Sequence, residues 1–172
     1  MPTDALVPQI QKMFDFEARC SALIGQELQT AKRGVEQLGL AALVAPYERA
    51  VEVFCHLAAA RRLWLHRIAP SLSEFPTDGV FPVWPLEQAT KESQELDALW
   101  AQYLADLAQK DLGAIVSYKS TEGKAFESTL ADILLHVVNH GTYHRGQIAL
   151  LVAQTGTRPV ATDYIVLTRR SV

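Results

Sequence analysis

Four stretches of this chain repeat apolar residues at three- and four-residue intervals, each for well over ten residues without an internal proline. That is the period of an amphipathic helix, and four such segments commit a chain to a helical bundle. The first runs from about Gln9 to Gly34 and offers Ile10, Met13, Phe14, Phe16, Leu23, Ile24 and Leu28 for burial, with Gly34 and Gly39 bracketing its exit. The second begins near Pro46, whose missing N–H costs nothing in a first turn, and runs to Ile68 ahead of Pro70. Its apolar residues Tyr47, Val51, Phe54, Leu57, Leu63, Trp64 and Leu65 cover more than one face, which predicts a helix surrounded by the others. The third spans about Leu86 to Leu107, with Leu96, Leu99, Trp100, Tyr103, Leu104 and Leu107 inward and Glu87, Lys91, Glu92 and Glu95 outward. The fourth takes Ser128 or Thr129 as N-cap, carries Asp132 in its first turn, runs through Val152 and stops at Gly156.

The breakers define the rest. Pro70, Pro76, Pro82 and Pro85 with Gly79 exclude regular helix and mark a long connection, tacked down by Phe75, Phe81 and Trp84. Ala114 to Tyr118 and Lys124 to Glu127, separated by a turn with Gly123, read as a short hairpin that caps one end of the bundle. The tail from Arg158 to Val172 offers Tyr164, Ile165 and Leu167 for a last helical turn or strand. The expectation is an all-α four-helix bundle with a long crossover after the second helix and a small hairpin before the fourth, forming one domain over residues 1–172.

Composition narrows the class. With 49% hydrophobic and 20% charged residues the chain lies far from the regime of disorder. Its apolar runs are too short to span a bilayer, and Met1 to Pro8 holds an aspartate and no basic residue, unlike a secretory signal, so the cytoplasm is expected. Cys20 and Cys55 lack C-x-x-C spacing and lie in apolar surroundings, which predicts free, buried thiols. A formal charge of -3 provides no basic footprint for a phosphate backbone, so neither nucleic acid nor membrane is expected as a partner.

Chemistry concentrates in the five histidines, His56, His66, His136, His140 and His144. Residues four apart on a helix are neighbours, so His140 and His144 can present imidazoles to one cation. His136 is also four residues from His140, but eight residues separate His136 from His144, a rise of roughly 12 Å, so one end must drop out. The run Gly141-Thr142-Tyr143-His144-Arg145-Gly146-Gln147 is polar and holds two glycines, which suits a site open to solvent. His136, among Leu134, Leu135, Val137 and Val138, reads as a histidine outside the ligand set, either buried or supporting a ligand from behind. A third ligand must come from another helix, and His56 is the natural donor. His66, about 15 Å further along the second helix and next to Arg67, reads as a surface residue.

The run from Leu134 to Ile148, Leu-Leu-His-Val-Val-Asn-His-Gly-Thr-Tyr-His-Arg-Gly-Gln-Ile, resembles the fourth-helix signature of the damage-inducible DinB-like bacterial proteins. The segment from His56 to Leu65 resembles that family's second-helix motif, and Thr162-Asp163-Tyr164-Ile165 its C-terminal Thr-Asp segment, so the resemblance spans nearly the whole chain. It implies a four-helix bundle holding one divalent metal through His56, His140 and His144, and a homodimer. Two departures stand out: Ala60 occupies the place of a usual aspartate, and Phe14-Asp15-Phe16-Glu17 replaces a more familiar Asn- and Trp-rich pattern. Both bear on substrate contacts, and neither is an expected ligand.

Three neutral imidazoles suit a transition metal, zinc or nickel foremost, and three protein ligands leave an open coordination position. Such an ion acidifies a water or a thiol. The resemblance favours the thiol, since related bundles include transferases that conjugate low-molecular-weight thiols, while others are labelled metal-dependent hydrolases. Asn139, Tyr143 and Arg145 are candidate substrate or supporting groups, with a surface ion pair the alternative for Arg145. No carboxylate stands at the H-E-x-x-H position of metalloproteases. Three functions follow as expectations: a metal-dependent thiol S-transferase acting on a small molecule, a metal-dependent hydrolase, and a non-catalytic metal-binding stress protein.

Overall fold

The computed structural model describes residues 3–170, with the side chains of residues 3–5 and of Leu167 left aside. The packing expected of Leu167 therefore lies outside the described residues, as do Met1, Pro2, Ser171 and Val172. The elements are α1 (Thr3–Leu38), α2 (Ala41–Ile68), α3 (Leu86–Ala105), a 3-10 turn (Leu107–Gln109), β1 (Ile115–Lys119), β2 (Ala125–Thr129), α4 (Leu130–Gln154) and a short α5 (Tyr164–Thr168). This is the expected helical bundle with a long crossover and a hairpin. Among the described residues no helix is long and apolar enough to cross a membrane.

The helix ends depart from the expected ones. α1 runs four residues past Gly34 and stops where Gly39 takes φ 62°, a left-handed conformation that glycine adopts without strain. α2 starts five residues before Pro46, its entry tightened by a Leu43 N–H to Leu40 carbonyl bond of 3.0 Å. α4 begins as expected, with the Thr129 hydroxyl accepting the Asp132 N–H at 3.1 Å, an N-cap that satisfies one orphan donor. In the hairpin, Ile115 pairs with Thr129 and Lys119 with Ala125, and Gly123 at φ 82° closes the turn. The tail resolves as a helical turn, with Tyr164 edge-on to Phe16.

Two apolar clusters fill the bundle. One, toward the hairpin, joins Ile10, Phe14, Leu65, Leu96, Trp100 and Leu134, and the other joins Ile24, Leu28, Phe54, Ala89, Ile148 and Val152. Between them lies a polar waist. On α1 it holds Glu17 and Ser21, on α2 His56 and Arg61, on α3 Asp97, and on α4 His140, His144 and Arg145. Each charge in it has a partner: Arg61 reaches Asp97 at 2.7 Å, and Arg145 pairs with Glu17. Buried charges survive only when paired, so the waist constrains how the four helices can slide against one another.

Candidate metal centre

α2 and α4 pack along their length, and their residues match in antiparallel order: His56 meets His140 and His144, while Trp64 meets His136. His56 Nε2 lies 3.2 Å from His140 Nε2, and His144 Nε2 lies 3.1 Å from the same atom. All three ligand atoms fall within 4.8 Å of one another on half-buried rings, and among the described residues no Asp, Glu or Cys joins them.

The outer nitrogens are already engaged. His56 Nδ1 is 2.6 Å from the Val80 carbonyl of the crossover, and His144 Nδ1 is 2.7 Å from Gln147 Oε1, one turn on along α4. A carbonyl oxygen only accepts, so His56 Nδ1 carries the hydrogen and its Nε2 presents a lone pair inward. The same holds for His144, whose Nδ1 faces the Gln147 amide oxygen. His140 Nε2 carries at most one hydrogen, which serves two facing lone pairs poorly. A cation serves both: imidazole nitrogens at about 2.0–2.1 Å from a tetrahedral ion lie roughly 3.3 Å apart, close to the spacing here. The residues fit a transition-metal ion, with a carbonyl and an amide orienting the ligands from behind.

Electrostatics agree. Burial, with His144, His56 and His136 around it, pushes the His140 pKa down to about 4. Burial also lowers His56, partly offset by the Val80 carbonyl, and burial followed by Arg67 lowers His136. On balance all three are held toward neutral imidazole, the form that ligates.

The site faces outward past two aromatic rings. Phe81, 75% exposed, stacks on His56 at 4.5 Å, and the exposed Tyr143 stands edge-on to His144 at 4.9 Å. Asn139 is exposed beside His140. The ion pair expected as an alternative for Arg145 forms in the interior and not at the surface. The side chain is not turned to the open side but buried against α1, with Nη1 on Glu17, Nη2 donating to Thr142 Oγ1 at 2.7 Å, and its guanidinium over Phe16. His136 is outside the ligand group and exposed, so the buried alternative fails, while its place between Trp64 at 5.1 Å and His140 at 5.5 Å leaves it beside a ligand. His66 is half-buried instead of superficial, its Nδ1 2.8 Å from the Ser73 carbonyl, where it pins the start of the crossover.

Glu17 entered the sequence analysis only within the Phe14–Glu17 departure, and its buried pairing with Arg145 was missed. Its only signal was a carboxylate among Phe14, Phe16 and Cys20 on the inward side of α1. Gly141 owes its identity to that residue and not to solvent opening: a Cβ there would stand 2.9 Å from Glu17 Cδ and 3.1 Å from Arg145 Nη1.

Protein DinB of Bacillus subtilis (strain 168) is 35% identical over 79 residues, a match covering 43% of this chain and 46% of that protein, so the chain spans less than half of that relative's length. No solved structure matches the chain. The DinB family model matches residues 41–170, which include all three histidines, the crossover and the hairpin, and the chain therefore belongs to the DinB family.

Proposed function

We propose that this protein is a metal-dependent transferase that joins a low-molecular-weight thiol to an electrophile, with one zinc or nickel ion held by His56, His140 and His144. The observation that carries the reading is the convergence of three imidazole nitrogens with an open side between Phe81 and Tyr143. When bound, the ion supplies an acidic position at which a thiol gives up its proton near neutral pH. His136, held toward the neutral form beside His140, would take that proton. The sulfur then forms its bond to the electrophilic carbon, whose leaving group departs with the bonding pair. The exposed Tyr143 and Asn139 border the open side where the electrophile arrives.

A thiol is favoured over a hydrolytic water because, among the described residues, no carboxylate belongs to the group to act as a water's general base. The reading also places the protein in the cytoplasm, where thiols stay reduced, as a homodimer that light scattering checks. The test is conjugation of a panel of cellular thiols to 1-chloro-2,4-dinitrobenzene by zinc- or nickel-loaded protein. Turnover that needs metal and vanishes in His140→Ala is the expected result. Ester or lactone hydrolysis in its place assigns a hydrolase, and stoichiometric metal without any turnover assigns a non-catalytic metal-binding role.

A further inference from the structure

Arg67 stands eleven residues after His56 on α2, three turns along and on nearly the same face. Its guanidinium lies 4.4 Å from the Trp64 ring centroid and 4.9 Å from that of Tyr118, and Nη2 donates to the Lys119 carbonyl of β1. Pinning the hairpin in this way uses one of the five donors that an arginine offers. Arg61, Arg62 and Arg145 each have a carboxylate. Among the described residues Arg67 forms no ion pair, although it is half-buried and burial lowers its pKa.

A cavity of about 730 Å³ lies beside it between the crossover and the hairpin, lined among others by Leu63, Phe75, Val80, Tyr118 and Lys119. That volume suits a small organic molecule, and its walls combine apolar surface, two cations and no carboxylate. None of the three histidines lines the cavity, but two residues at its edge, Val80 and Trp64, stand between it and them. Val80 lines it while its carbonyl holds His56, and Trp64, under the Arg67 guanidinium, touches His136 beside His140.

We propose that Arg67 anchors the anionic end of an elongated substrate, a carboxylate or phosphate on an apolar body, which lies in this cavity with its reacting end at the three histidines. This rests on the transferase reading above and specifies its substrate. Eleven residues of helix separate the two ends by about 16 Å, and a helical arginine reaches back toward the N-terminus, so the substrate spans roughly 10 Å. A thiol as short as cysteine does not bridge that distance.

The test uses 4-phenylbutyrate, phenyl phosphate and the neutral 4-phenylbutanamide, titrated against metal-free and zinc-loaded protein with tryptophan fluorescence as readout and Trp64→Phe to assign the signal. Saturable binding of an anion, at least tenfold tighter than the amide, is expected in both forms. The tighter of the two anions identifies the headgroup. Arg67→Gln should bring anion binding down to the amide level, and Arg67→Lys should retain part of it. Equal binding of acid and amide to wild type overturns the proposal without recourse to any variant that might loosen the hairpin. So does an Arg67→Gln protein, native by circular dichroism, that binds the anions unchanged. Anion discrimination that persists in His140→Ala supports the anchor even if the metal reading fails, whereas stoichiometric metal without discrimination sinks the anchor alone.

Discussion

Replacing Gly141 by alanine sets two known effects against each other. In a helix interior the exchange ordinarily stabilises by about 1 kcal/mol, because glycine loses more backbone entropy on folding. Here the new methyl would stand 2.9 Å from Glu17 Cδ and 3.1 Å from Arg145 Nη1, inside ordinary contact distance, and closer still to Glu17 Oε2. The carboxylate is the end of a flexible side chain, but Glu17 is 3% exposed and Arg145 4%, so it has nowhere to go without leaving its partner. Burial already raises the Glu17 pKa in spite of Arg145, so a charge deprived of that partner is poorly held. Breaking a buried pair costs about 3–5 kcal/mol, which outweighs the propensity gain and leaves a net loss of about 2–4 kcal/mol. Urea denaturation of metal-free protein followed by circular dichroism should show this loss. Gly146→Ala is the internal control: it lies five residues further on the same helix with nothing near its added methyl, and should gain up to about 1 kcal/mol. A Gly141→Ala protein as stable as wild type would refute the close approach of α1 to α4 at the waist.

Three further outcomes are expected. His140 is held neutral with a pKa of about 4, whereas histidine in the unfolded chain titrates near 6.5, so its contribution to stability is complete above about pH 6.5 and is lost as pH falls toward about 4. Urea midpoints of metal-free wild type should therefore drop more steeply between pH 7 and pH 5 than those of His140→Ala, and parallel profiles would contradict the assignment. Thr129→Ala removes the α4 N-cap and should cost about 1 kcal/mol in the same assay, with no change in metal stoichiometry by elemental analysis. Burial pushes the Cys20 thiol up to about 11, so it should resist Ellman's reagent in native protein and react on unfolding, which a Cys55→Ser background makes easy to read.

Helix interiors were legible because burial imposes its period on the residues that meet the core. Helix ends were less so. α1 continues through Gly34 because only Val35 needs burial in its last turn and Gly39 provides the left-handed stop. The three histidines could be read from a four-residue spacing and one central residue of α2, since both are properties of single helices. The Glu17–Arg145 pair could not, because its members are 128 residues apart and meet only once the bundle closes. The partner of His56 was hidden for another reason. It is the backbone carbonyl of Val80, and a carbonyl has no sequence signature.

With an ion at the three histidines, that carbonyl would make the crossover part of the binding equilibrium. Coupling between two sites is reciprocal, so whatever free energy an ordered crossover adds to metal affinity, a bound metal returns as order in the crossover. Residues 70–85 would then report occupancy: amide exchange at Val80 should slow when His56 is ligated, and a ligand that shifts this segment should change metal affinity without touching a histidine.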